Sequence, residues 1–135
     1  MTEKSLPVAV DAMGGDHAPD QIVEGARLAK ESGIPIVLFG TEQALDGIRD
    51  IETIYVSEVV EMDEDPGRAV RRKKDSSLIR AAEYVRDGHS AAMVSAGNTG
   101  ATMASALLRM GRLKGVARPA IATPIPTLEG DHPVM

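Results

Sequence analysis

The sequence predicts an α/β fold, a three-layer α/β/α arrangement with a mostly parallel sheet, in one domain spanning residues 1–135. Short apolar runs alternate with segments of helical period, the pattern of βαβ units with helices on both faces of a sheet. The first run ends at Gly14-Gly15. Apolar residues make up 43% of the chain and charged residues 26%, the balance of a chain that folds around a core.

Leu6 to Asp11 reads as a buried strand ended by Gly14-Gly15. Pro19 suits the first position of a helix, with Asp20 and Glu24 near its positive end. Ile22, Val23, Ala26 and Ala29 share one face of that helix, and Gly33 closes it. Ile34 to Phe39 is a second strand. Thr41 can cap a helix running to about Arg49, and Thr53 to Val56 makes a third strand. The acidic stretch Ser57 to Glu64 matches no element. Asp65-Pro66 is a cap followed by a helix-starting proline, and that helix carries Arg68, Arg71, Arg72, Lys73 and Lys74. Asp75 or Ser76 caps the next helix, whose Leu78, Ala81, Ala82 and Val85 face inward. Ala91 to Ser95 is a strand and Gly97 to Gly100 a turn. Thr99 to Met110 is a helix with Met103, Leu107 and Met110 on one face, read as core filling. Ala120 to Ile125 is the last expected strand.

Composition excludes several functions. Phe39, Tyr55 and Tyr84 are the only aromatics, and 15 cations against 20 carboxylates leave a net charge of −5. Nucleic-acid binding is not expected of such a chain, for want of stacking platforms and positive charge. Without cysteine there is no disulfide, thiolate catalysis or Cys-type zinc site. No apolar run reaches membrane-span length, and no signal-peptide core stands between Lys4 and Asp11. A cytoplasmic location follows as the expectation.

Three segments carry candidate chemistry. Ser95-Ala96-Gly97-Asn98-Thr99-Gly100 follows a strand and opens a helix. Glycines admit a ligand close to the backbone, and free N–H groups at a helix start attract an anion. Ser95, Asn98 and Thr99 add side-chain donors for a phosphate or a developing oxyanion; a plain helix-capping turn is the competing reading. No Gly-Lys-Ser/Thr ending is present, and the first glycine of the dinucleotide fingerprint is missing, which argues against a nucleotide-triphosphate loop and an NAD site. The second segment, Asp11 to Pro19, contains Gly14, Gly15 and Asp16 at another strand end. Parallel strands would bring both loops to the carboxyl edge of the sheet, where ligands bind in such folds. Asp11 and Asp16 could orient a donor or hold a metal, or simply bond neighbouring N–H groups. His17 and His132 read as loop histidines rather than bases. The third segment, Arg71-Arg72-Lys73-Lys74-Asp75-Ser76-Ser77, is either a solvated face or, with the helix start at Ser76, an anion site or a docking patch for an acidic protein.

Taken together, VAVDAMGGDHAP from Val8, RRKKDSS from Arg71, VSAGNTGATMA from Val94 and GVARPAIATPIPT from Gly115 resemble the bacterial phosphate acyltransferases, also called fatty acid/phospholipid synthesis proteins. The match runs from about Val8 to Thr127 in the family's order. The resemblance implies a fold similar to the isocitrate dehydrogenase and phosphotransacetylase group, a homodimer, and no metal or organic cofactor. It implies transfer of a fatty acyl group from acyl carrier protein to inorganic phosphate, with the acyl phosphate passing to a membrane glycerol-3-phosphate acyltransferase. Asn98 and Thr99 then become the catalytic candidates. Ser95, Gly97, Gly100, Asp11, Gly14, Gly15 and Asp16 become phosphate or substrate contacts, and Arg71, Arg72, Lys73, Lys74 and Ser76 the carrier-protein or anion patch. Family members continue with a strand bearing Gly-Ala-Asn, so the sequence reads as an N-terminal portion, ending on the apolar pair Val134-Met135. A coenzyme A-dependent, phosphotransacetylase-like enzyme and a non-catalytic module binding a phosphorylated ligand are the alternatives. Peripheral contact with the membrane stays open.

Overall fold

The computed structural model describes residues 5–127 and 130–134. Four strands form an all-parallel sheet in the order β3-β2-β1-β4: β1 is Val8–Asp11, β2 Ile36–Thr41, β3 Glu52–Val56 and β4 Ala92–Ser95. The α/β reading is borne out. In register, Val8 stands between Ile36 and Ala92, and Asp11 between Phe39 and Ser95. Side chains alternate between the two sheet faces, and both faces of the central strands are covered.

On one face, helix α1 (Asp20–Glu31) and the short α2 (Glu42–Leu45) pack Val23, Ala26 and Leu45 against Val10 and Leu38. On the other, α4 (Ser77–Arg86) lays Ala81 over Ala9, Val37 and Phe39, and the Phe39 ring meets Tyr84 edge-on at 5.3 Å. The expected inward face of α1 holds, with Val23 and Ala26 buried and Ile22 packed against the same cluster. Helix α3 (Pro66–Arg72) starts as expected, its Asp65 cap accepting the Arg68 N–H at 2.8 Å. A third cluster joins α3, α4 and α5 (Thr99–Ser105) through Val70, Leu78, Ile79 and Ala101.

Three expectations need correction. The helix capped by Thr41 ends at Leu45, well short of Arg49; Gly47 follows with φ +82°, a left-handed turn that stops it. Met103 and Met110 are not core: each is 38% exposed, while Ala101 and Ser105 form the buried face of α5. Short side chains are required there because α5 approaches α3 closely; a Cβ on Gly100 would stand 2.7 Å from Pro66 Cγ. The last strand does not extend the sheet. Thr123–Thr127 (β5) pairs antiparallel with Gly130–Val134 (β6) as a separate two-stranded unit. Pro124 and Pro126 lack the N–H groups that an interior parallel strand must donate. Among the described residues, no helix is long and apolar enough to cross a membrane.

Candidate anion site at the carboxyl edge of the sheet

Strand order decides where the two glycine loops meet. From β1 the chain moves outward through β2 to β3, then crosses back to β4 on the other side of β1. The crevice between the carboxyl ends of β1 and β4 is therefore the topological switch point, the usual ligand position in an open α/β sheet. Asp11 ends β1 and Ser95 ends β4, side by side.

Their side chains are joined. The Ser95 hydroxyl donates to Asp11 Oδ2 at 2.7 Å, the Met13 N–H donates to Asp11 Oδ1 at 3.1 Å, and the Gly97 N–H donates to Ser95 Oγ at 3.1 Å. Asp11 is buried, 4% exposed. A carboxylate so placed is tolerable because each oxygen receives a donor. Gly14 lies against this linkage: a Cβ there would stand 2.7 Å from both Asp11 Oδ2 and Ser95 Oγ and 2.8 Å from the Gly97 nitrogen. Gly15, with φ +110°, turns the first loop past the Ala96 carbonyl. A Cβ on Gly97 would in turn meet Gly14 Cα at 3.0 Å. Backbone thus packs on backbone between the two loops, which sequence spacing alone could not show. Asp16 is exposed in the first loop, beside an exposed His17.

Asn98 has a different place from the one its donors suggested. Its Oδ1 accepts the Ala101 N–H at 3.0 Å as the cap of α5, and its Nδ2 donates to the carbonyls of Met62 at 3.1 Å and Glu64 at 3.0 Å. In this arrangement Asn98 holds the acidic segment against the helix start, with its amide engaged on both sides. Thr99 is exposed, and its hydroxyl makes no hydrogen bond among the described residues. The Thr99 and Gly100 N–H groups stand at the start of α5, where no preceding helical carbonyl reaches them.

The basic segment is divided by its surroundings. Lys73 Nζ donates to the Val59 carbonyl at 2.6 Å and pairs with the Glu64 carboxylate. The Lys73 ammonium, helped by the Glu61 N–H and opposed by burial, holds the Glu64 carboxyl below its ordinary range. Ser76 is fully buried and donates to the Lys73 carbonyl at 2.9 Å. Asp75 accepts the Ser57 hydroxyl at 2.7 Å and the Ser57 N–H at 2.9 Å; the hydroxyl bond is the main reason its carboxyl is held low. Lys73, Asp75 and Ser76 therefore bind the acidic loop to the α3–α4 junction. Arg68, Arg71, Arg72 and Lys74 remain exposed, with no carboxylate within 4.0 Å among the described residues. Arg68, Arg71 and Arg72 border a cleft of about 380 Å³ with Asp65 and Gly67. No group of three or more acidic or histidine side chains suited to a metal occurs among the described residues.

Comparison with known proteins identifies the family of the chain. The family model described as "Fatty acid synthesis protein" matches residues 6–135. A relative named phosphate acyltransferase from Leuconostoc citreum (strain KM20) is 48% identical over 133 residues, covering 94% of this chain and 38% of the relative. One of the same name from Anaeromyxobacter sp. (strain Fw109-5) is 50% identical over 142 residues, covering 96% and 39%. Another, from Desulfitobacterium hafniense (strain DSM 10664 / DCB-2), is 50% identical over 133 residues, covering 93% and 40%. The chain thus spans about two fifths of the length of these curated relatives. With nearly its whole length matched, the chain belongs to the fatty acid synthesis protein family.

Proposed function

We propose that the two loops form the phosphate end of an acyltransferase that moves a fatty acyl group from the thioester of acyl carrier protein to inorganic phosphate. The observation that carries this reading is the Asp11–Ser95–Gly97 linkage at the switch point, followed two residues later in the chain by the exposed Thr99. A phosphate oxygen attacks the thioester carbonyl carbon and a C–O bond forms. The tetrahedral intermediate then collapses, the C–S bond breaks, and the leaving thiolate takes up a proton. What the protein must supply is position and donors for anionic oxygen. The Thr99 hydroxyl and the Thr99 and Gly100 N–H groups are donors of that kind. Asp11, Ser95 and Asn98 are positioning residues: the first two set the Gly97 amide, and the third holds the helix start. Gly14, Gly15 and Gly97 let the loops close on each other, and Asp16 is available at the rim to orient a donor. The exposed cations Arg71, Arg72 and Lys74 suit an acidic carrier protein or the phosphate of its phosphopantetheine arm. Acyl phosphate formed this way would feed a membrane glycerol-3-phosphate acyltransferase, and the reading includes a cytoplasmic homodimer.

The test is phosphate-dependent thiol release from acyl carrier protein thioester and from acyl-coenzyme A. Release should require phosphate and favour the carrier protein. Thr99→Ala should raise KM for phosphate roughly tenfold to a hundredfold, since a hydrogen bond to a charged group is worth about 1.5–3 kcal/mol. Release that ignores phosphate, or an unchanged KM in Thr99→Ala, rejects the reading. A preference for acyl-coenzyme A points to the phosphotransacetylase-like chemistry instead.

A further inference from the structure

Helix α5 continues from Ser105 into a π-helical turn, Ala106–Met110, and residues 111–121 fold back alongside it. Between them runs a groove of about 430 Å³, within the size range of small-molecule sites. Met103, Ala106, Leu107, Leu113, Val116 and Ile121 supply half of the residues in its walls. Arg112 also lines it, but its Nη1 donates to the Ala117 carbonyl at 2.7 Å, closing the loop on itself. Leu113 is 80% and Ile121 56% exposed, so this apolar surface has no covering within the described residues.

What the groove takes is indicated by its beginning. Thr99 lines it, and Thr99 is also the free hydroxyl of the anion loop. From Thr99 to Leu107 the helix rises about 12 Å. The two faces of one helix start thus offer donors for anionic oxygen and an apolar channel leading away from them. Methionine and leucine walls adapt to a flexible hydrocarbon. We infer that this groove holds the hydrocarbon chain of the acyl group, with the carbonyl end at Thr99. The inference rests on the acyl-to-phosphate reading and adds to it the place of the chain.

Binding of butyl, hexyl and octyl phosphate to the 135-residue chain, compared with inorganic phosphate, tests it. Affinity should rise roughly fourfold per methylene until the groove is full, the factor that corresponds to about 0.8 kcal/mol per buried CH₂. Met103→Gln combined with Leu107→Gln should flatten that rise. Leu113→Gln, at a position too exposed to affect folding, should reduce it, while Leu6→Gln, outside the groove, should leave it. Thr99→Ala should weaken every alkyl phosphate by the same factor and leave the slope intact. Absence of a slope in the wild-type chain, or the same slope in the double variant, overturns the groove. In that case a Thr99→Ala effect on inorganic phosphate still supports the anion loop. A slope without any Thr99 effect supports the groove and rejects the loop. Self-association abolished by Leu113→Gln, with no slope, assigns the face to a second copy and also overturns the inference.

Discussion

Replacing Asp11 by alanine should cost this protein about 2–4 kcal/mol of stability and, on the proposed function, abolish phosphate binding. Two donors lose their acceptor together: the Met13 N–H at 3.1 Å and the Ser95 hydroxyl at 2.7 Å. Each unsatisfied donor costs about 1–3 kcal/mol when buried, and these two are half-buried, which sets the lower part of that range. For a domain of this length the loss lowers Tm on the order of 10 °C. The freed Ser95 hydroxyl no longer fixes the Gly97 amide, so the second loop loses its anchor. Asp11→Asn separates the contributions. Its amide oxygen still accepts from Met13, but its NH₂ group meets a hydroxyl that needs an acceptor. About half the stability loss should return while phosphate affinity stays low. Thermal melts with and without phosphate decide it; an Asp11→Ala protein that melts and binds like the wild type would show the linkage to be incidental.

Gly14→Ala should be nearly as damaging, by a steric route. The added methyl would lie within 2.8 Å of Asp11 Oδ2, Ser95 Oγ and the Gly97 nitrogen at once. The two oxygens could move aside on their side chains, but the nitrogen is backbone. The loops must therefore part, and the Asp11–Ser95 hydrogen bond lengthens or breaks with them. Overpacking of this kind costs about 1–3 kcal/mol. Gly25→Ala is the control, because a Cβ there meets nothing within 4 Å and the position lies inside α1. It should raise stability by about 0.5–1 kcal/mol, the ordinary gain of alanine over glycine in a helix. Equal effects of the two substitutions would remove the case for close loop packing.

Much of this arrangement was legible in the sequence, because the signals were local. Short apolar runs placed the four parallel strands, and Thr41, Asp65 and Ser76 all stand at the helix starts expected of them. Both glycine loops were visible as strand-end loops. Their contact was not, since it depends on β1 lying between β2 and β4, and Ser95 meets Asp11 across 84 positions of sequence. Asn98 shows the same limit: its carbonyl partners at Met62 and Glu64 lie 36 and 34 residues away, so a donor read as ligand-facing is engaged by the protein. In RRKKDSS the four cations looked alike, and only the fold separates Lys73, paired with Glu64, from the exposed Arg71, Arg72 and Lys74. The π-helical turn after Ser105 left no mark in the periodicity, which assigned Met103 and Met110 to a core they do not enter. Pro124 and Pro126, by contrast, were a local warning against a further parallel strand.

The most direct measurement is a titration of the ¹⁵N-labelled chain with inorganic phosphate, followed through its backbone amide resonances. The amides of Gly97, Thr99 and Gly100 should shift in a saturable manner, and Ser95→Ala should weaken the saturation by releasing the Gly97 N–H. Shifts confined to Arg68, Arg71 and Arg72, or none at all, would contradict a phosphate site between the ends of β1 and β4.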